Sequence, residues 1–379
     1  MKKALSLVLV LAVFLALVVT ACDDSGTKPA SSDSIGNTTT DKLMDIGDIT
    51  TAPGEQEDKD FGNYTSENPL KLKLATMQAA ERSHLNTLAV AFKERVEIWS
   101  EGAVIVDVYM GSMGSDREIV DQVIAGTVDM GVNNTAIMAN YNRMFDVLDI
   151  GYLIRDYDDV YDVMASDIWS EMLAEFSDTG ASLLALQCIG FRTLCTTEKA
   201  GPVKNKAELA NKTIRITEGE VFIDDYKAWG AAPVSLSAAE ILPALQNGTI
   251  DGVDHVPVTL YTGSGQYEYI SYVSLFNQAA HFNGLTINNK VLEGLPSGIR
   301  KIIEDAAYEA AEFRTKALEK DNDTYIQKLK DEWDITFYTP TREEIDEMID
   351  AVEPVYDNFV ASHKFGSYAE AIRKICADN

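Results

Sequence analysis

Two arginines sit in surroundings that do not suit an unpaired cation. Arg192 lies in Ile189-Gly190-Phe191-Arg192-Thr193-Leu194, and Arg215 alternates with Ile214 and Ile216 on an expected strand. A guanidinium does not shed its proton, so one turned inward demands an anion. Two readings are open for each. Arg215 is either a strand arginine on a solvated face or a cleft residue, and Arg192 is either one half of an ion pair between lobes or a cleft residue. In the cleft reading one of them takes a ligand carboxylate through a two-pronged pair, about 1.5 to 3 kcal/mol of net hydrogen bonding.

The other familiar chemistries leave no trace. The four histidines (His84, His255, His281, His363) form no H-x-x-H pair, and Cys22, Cys188, Cys195 and Cys376 form no C-x-x-C pair, so no metal site is expected. The stretch from Asp58 resembles a calcium loop until its twelfth position, which is Pro69 where a bidentate glutamate is needed. There is no G-x-S-x-G elbow, no phosphate-binding G-x-x-x-x-G-K-[ST] loop and no G-x-G-x-x-G, so no cofactor and no catalytic residue is assigned. Carboxylates are plentiful, but without defined spacing they do not single out a glycosidase.

Composition narrows the partners. The chain has 379 residues, 46% of them hydrophobic, and a formal charge of −28. That length fits two lobes or one large domain, and that charge opposes nucleic acid, because phosphate contacts need clustered lysine and arginine. A small anion is still allowed through locally placed cations.

The N-terminus reads as an export signal. Met1-Lys2-Lys3 precedes an apolar run from Ala4 to Val19, and Val19-Thr20-Ala21-Cys22 follows. A membrane-spanning anchor is the alternative. Small residues before a cysteine resemble the bacterial lipobox, which makes 1–21 a lipoprotein signal peptide and Cys22 the lipidated first residue of a chain held outside the cytoplasmic membrane. Residues 22–68, rich in Ser, Thr, Gly and Asp, read as a flexible acidic linker. With Cys22 removed an odd number of cysteines is left, so at least one thiol is expected free, and buried inert thiols are the preferred reading.

From Pro69 onward strands and helices alternate. Strands are expected at Leu70–Leu74, Val104–Tyr109 and Val128–Val132, and helices at Leu88–Trp99 and Ile119–Ala125. Such open α/β sheets bind ligands beyond the carboxyl ends of their strands, here near Ala79–His84, Gly111–Asp116 and Asn133–Thr135. A second α/β block is expected from about Gly190, with strands at Thr213–Ile216 and Ile250–Val253. A long helix from Pro296 to about Glu332 is a candidate brace for both lobes, and a last helix spans about Glu343–Phe359.

Taken in order, these residues resemble a family. Gly190-Phe191-Arg192-Thr193-Leu194, Lys212-Thr213-Ile214-Arg215-Ile216-Thr217-Glu218, Trp229-Gly230-Ala231-Ala232-Pro233, Ala244-Leu245-Gln246-Asn247-Gly248 and Ile250-Asp251-Gly252 are similar to the solute-binding proteins of TRAP transporters, the DctP type. Tyr109–Glu118, Gly126–Met130 and Leu295-Pro296 fit the same pattern, so the resemblance covers about residues 70–350. It implies a two-lobed, periplasmic-binding-protein-like α/β fold of the class II type, closing around a small organic acid, with a long helix bridging both lobes. Lobe I is expected from 69–190 plus about 278–318, and lobe II from 191–277 plus about 319–379.

The resemblance also implies roles. Arg215, in the family's K-x-x-R strand, clamps the ligand carboxylate; Arg192 lines the pocket; Asn134 follows the third strand. Two positions depart from the pattern: His255 stands where asparagine is usual and Gln278 where many members have histidine. His255 is either a ligand contact or a satisfied interior histidine. Tyr152 and Phe222 are candidate pocket aromatics, with core packing as the alternative. The implied function is extracytoplasmic capture of an organic acid and its delivery to an ion-gradient-driven TRAP permease. The competing readings are a sensor subunit presenting its ligand to a membrane kinase and a surface-anchored enzyme acting on carboxylated substrates.

Overall fold

The computed structural model describes residues 47, 49, 60–81, 83–263 and 265–377. The expected signal segment and Cys22 lie outside the described residues, as does much of the expected linker. Among the described residues no helix is long and apolar enough to cross a membrane.

The strands in chain order are β1 Leu70–Thr76, β2 Val104–Met110, β3 Met130–Asn134, β4 Ala181–Phe191, β5 Thr193–Thr196, β6 Thr213–Ile216, β7 Ala232–Ser235, β8 Gly252–His255, β9 Tyr272–Ser274, β10 Ala280–Asn288 and β11 Thr336–Tyr338. They form two sheets, ordered β2-β1-β3-β10-β4 and β11-β9-β5-β8-β6-β7. In the first, β1 runs parallel to β2 and β3, while β10 returns antiparallel between β3 and β4. Each sheet anchors one lobe.

Helix boundaries follow local chemistry. The Ser83 hydroxyl accepts from the Asn86 amide and starts the helix His84–Trp99. Ser115 and Glu118 close a reciprocal capping box on Asp116–Ala125, which ends at Gly126 with φ 75°. Both helices begin earlier than their apolar periodicity indicates, because caps and polar first-turn residues carry no such signal.

The sheets are joined where the chain crosses between them. Only Arg192 separates β4 from β5, and residues 275–279 separate β9 from β10. These crossings are bonded to each other: the Arg192 amide donates to the Ala279 carbonyl at 2.8 Å and the Gln278 amide to the Arg192 carbonyl at 3.1 Å. The Tyr152 amide adds a bond to the Gln278 carbonyl at 2.8 Å. Arg192 and Gln278 thus belong to the paired segments about which the lobes would turn.

The helix Ser297–Trp333 ties both lobes together, as its length suggests. Ile299, Ile302, Ile303, Ala306, Ala307, Ala310 and Ala311 pack into the first-lobe core with Leu74, Phe92 and Val132. Further along, Leu329 packs into the second-lobe core with Val253 and Val273. Alanine at successive turns lets the helix approach the sheet closely, and Asp334 in the left-handed conformation (φ 54°) ends it.

Two segments differ from the sequence expectation. Part of the stretch assigned to the linker is docked: Ile49 is buried, its carbonyl accepts from Trp99 Nε1 at 3.0 Å, and Phe61 and Tyr64 pack on the first-lobe core. At the other end, the helix Arg342–Ser362 sends Met348 and Val352 into the second-lobe core but Tyr356 and Phe359 into the first. Gly366–Ala377 then packs on the first lobe through Ala369, Ile372 and Cys376.

Candidate functional site

Arg215 ends near the carboxyl side of β6, in register with Val234 of β7 and Val253 of β8. It is 5% exposed. Its Nε and Nη2 both donate to the Leu236 carbonyl, at 2.9 and 2.7 Å, and Nη1 lies 3.5 Å from Thr217 Oγ1. No carboxylate pairs with it among the described residues. Burial, and then the neighbouring Arg192 cation, lower its pKa from 12.5 to about 10, so it stays charged at neutral pH. Of its two sequence readings, the solvated strand face is excluded by burial.

Arg192 is equally buried but balanced. Its Nη1 sits 2.6 Å from Asp254 Oδ1, and its guanidinium lies over the Phe222 ring at 4.5 Å. Asp254 is the partner that sequence reasoning missed. Its other oxygen accepts from Tyr226 Oη at 2.9 Å and Gln278 Nε2 at 3.2 Å. Since β5 and β8 are neighbours in the second sheet, the pair lies beside the crossing within that lobe rather than spanning the cleft. Arg192 Nε has no hydrogen-bond partner, so this group still has a donor to offer.

The remaining candidates fall around these two. His255, at the end of β8, has Nε2 2.5 Å from Gln266 Oε1. Burial and the nearby Arg215 charge push it down to about 4, so it is neutral at pH 7. The Asn134 side chain caps the next helical turn by accepting from the Ala136 amide at 2.9 Å. Gln278 donates into the Arg192–Asp254–Tyr226 group, and its Oε1 is unpartnered. Phe222 supports the Arg192 guanidinium. Tyr152 packs edge-on against Trp229, with ring centres 6.3 Å apart, and its hydroxyl has no partner.

Other side chains join this set from the first lobe. His84 and His281 are both buried, with ring centres 6.2 Å apart. Burial, followed by the nearby His255, lowers His84 to about 3; burial and the Arg192 charge hold His281 well below 6.5. The topology rule for open sheets had pointed at the loop ending at His84. Nothing in a single sequence marks His281, because its place beside the cleft depends on the return of β10.

Ion pairs cross the mouth of the cleft. Arg117 pairs with Glu218, and Arg143 Nη2 lies 2.8 Å from Glu220. All four side chains are well exposed, so each pair contributes about 0.2 to 1 kcal/mol to keeping the lobes together. Between them a recess of about 310 Å³ is lined from one lobe by Ala136, Asn140 and Arg143 and from the other by Glu218, Gly219 and Ser235. Among the described residues no cluster of His, Cys, Asp or Glu could hold a metal ion. Cys188, Cys195 and Cys376 are free and buried.

One buried acid beside the lobe junction makes a pH prediction. Asp225 Oδ2 accepts from the Gly151 amide at 2.9 Å while Oδ1 is unpartnered, and burial raises its pKa well above 3.8. The folded state then holds a proton that the unfolded chain has released. The stability due to this proton is complete below the unfolded value and falls as pH rises toward the folded one, by at most roughly 1.4 kcal/mol per pH unit. Asp225→Asn keeps the bond from Gly151 and removes the titration. Thermal unfolding from pH 4 to 8 should show the variant gaining on wild type as pH rises; parallel curves would mean that Asp225 is already ionised in the fold.

Comparison with known proteins fixes the family. The profile for bacterial extracellular solute-binding protein, family 7, called DctP, matches residues 75–363. The chain belongs to the DctP family. These are substrate-binding proteins of TRAP transporters, extracytoplasmic and not enzymes. Among curated relatives, the C4-dicarboxylate-binding periplasmic protein DctP of Rhodobacter capsulatus is 25% identical over 271 residues, 71% of this chain and 80% of that protein. The 2,3-diketo-L-gulonate-binding periplasmic protein YiaO of Escherichia coli is 24% identical over 244 residues, covering 64% and 74% of the two chains.

Among solved structures, a TRAP periplasmic solute-binding protein of Bordetella, with density interpreted as pantoate, matches with TM-score 0.74 and 27% identity over 80% of this chain and 98% of that one. The sugar-acid-binding protein of Advenella mimigardefordensis, in complex with galactonate, matches in fold with TM-score 0.76 and 21% identity over 82% and 98%. The family and two-lobed α/β class expected from the G-F-R and K-x-x-R segments are therefore those found.

Proposed function

We propose that this DctP-family protein captures a small organic acid between its lobes, with Arg215 as the group that takes the carboxylate. The observation that supports this is a buried guanidinium hydrogen-bonded to a backbone carbonyl and a hydroxyl and paired with no carboxylate among the described residues, although the charges of Arg192, Asp254, Glu218 and Glu240 all act on it. Enclosing such a charge between lobes is costly unless an anion arrives, so the acid favours closure to the extent that it binds the closed state better. Arg192, already neutralised by Asp254, offers Nε as a further donor, and His255, Asn134 and Gln278 stand as ligand-facing candidates.

Micromolar binding amounts to about 8 kcal/mol, more than one ion pair supplies. The pocket walls must contribute the rest. What the relatives bind, C4-dicarboxylates, a diketo sugar acid, pantoate and galactonate, supports an organic acid here. Delivery to an ion-gradient-driven TRAP permease completes the reading, with the chain held on the outer side of the cytoplasmic membrane by lipid on Cys22.

A mass spectrum of small molecules carried through native purification, followed by thermal-shift titration of the acid found, tests the capture. Uptake of that acid by cells with and without the chain tests delivery. Loss of uptake when the chain is removed supports transport; unchanged uptake with a lost transcriptional response would favour the sensor reading instead.

A further inference from the structure

The face of the first sheet turned toward the bridging helix changes character along its length. On β10, Ile287 and Leu285 lie in the first-lobe core, as do Val132 and Met130 on β3 and Ala185 on β4. Strand side chains alternate with period two, so the same face continues into Asn283 and His281 on β10, Asn134 on β3 and Gln187 on β4. Asn283 is in register with Asn134 on one side and Gln187 on the other. The His84 ring meets His281. An apolar core layer thus gives way to a polar one at the end of the sheet next to the Arg192 crossing, where the Arg192 amide bonds the Ala279 carbonyl.

Apart from Asn134, which is half-buried and caps a helical turn, this layer is buried and unsatisfied. Asn283 and Gln187 are both 0% exposed, and neither the nitrogen nor the oxygen of either amide has a hydrogen-bond partner. Both ring nitrogens of His281 and Nδ1 of His84 are in the same condition. Buried amides and imidazoles are nearly always hydrogen-bonded, and each one left without a partner is a cost to the fold. Here they are contiguous, and they require both donors and acceptors in return.

From this we infer that Gln187, His281, Asn283 and His84 form the specificity wall for the part of the ligand remote from its carboxylate, and that the ligand is a polyhydroxylated monocarboxylate. The inference rests on the Arg215 clamp for the other end. A hydroxyl group both donates and accepts, which is what an amide or a neutral imidazole needs. An apolar or aromatic acid would leave these groups unpaired. A second carboxylate would lie against the neutral amides and imidazoles of this wall, since of the two cleft arginines Arg192 is already matched by Asp254 and Arg215 is taken by the first carboxylate. Sites built to hydrogen-bond a hydroxyl discriminate strongly against analogues that lack it.

Calorimetric titration of the full chain with D-gluconate, D-glucuronate, succinate and benzoate tests this directly. At least one of the hydroxylated monocarboxylates should bind at least about 100-fold more tightly than succinate or benzoate. Asn283→Leu should weaken that acid about 10- to 100-fold with ligand-free melting retained; if that variant does not fold, Gln187→Leu carries the same expectation. Tightest binding of succinate or benzoate, lost in Arg215→Ala, would overturn the wall while leaving the clamp intact. Tight gluconate binding that survives Arg215→Ala would instead overturn the clamp. Binding of none of the four acids, or full affinity in both leucine variants, would overturn the inference.

Discussion

Arg215→Ala is expected to abolish ligand-induced thermal stabilisation while the protein remains folded. In the complex the ligand carboxylate would be enclosed with its main cation removed, and breaking a buried charge pair from one side costs about 3 to 5 kcal/mol. That is a loss of roughly 10²- to 10⁴-fold in affinity. Without ligand the balance differs. The variant gives up the bonds to the Leu236 carbonyl but also a buried cation paired with no carboxylate among the described residues. Its unfolding free energy should therefore stay within about 1 kcal/mol of wild type. Melting curves with and without the purified acid separate the two effects, and full affinity in a folded variant would remove Arg215 from the clamp.

Asp254→Ala is expected to damage the fold itself. It strands the Arg192 guanidinium, 2% exposed, and deprives Tyr226 and Gln278 of an acceptor. The expected cost is about 3 to 5 kcal/mol, which would lower the melting temperature by roughly 5 to 15 °C. The double variant Asp254→Leu with Arg192→Met should recover a large part of that loss, because it leaves no buried charge uncompensated. Thermal unfolding of Asp254→Leu, Arg192→Met and the double variant forms a cycle that measures the coupling. A loss under 1 kcal/mol in Asp254→Ala would contradict the assignment of Asp254 as the counterion.

The contrast between these arginines shows where sequence reasoning reaches its limit. Both stood out for the same reason, a cation in an apolar setting, and the sequence left two readings for each. Separating them took one fact that is not local in the chain: Asp254 lies 62 positions from Arg192 but faces it across the β5–β8 pairing. Alternation on β1 and β2 was legible because one period dominates a short segment. The hinge was not, because Arg192 and Gln278 become neighbours only after two crossings between sheets. His281 and Asn283 were hidden for a related reason, as β10 is buried along its whole length and carries no amphipathic signal. The docking of Ile49 went unseen because a single apolar residue in a polar stretch has no periodicity to display.

The measurement that bears most directly on the clamp is a crystal structure of the protein holding the acid it carries from the cell. A carboxylate oxygen of the ligand should lie within about 3 Å of an Arg215 guanidinium nitrogen, with the bonds to the Leu236 carbonyl kept. A ligand whose carboxylate is held elsewhere, with Arg215 still bonded only to Leu236 and Thr217, would contradict it.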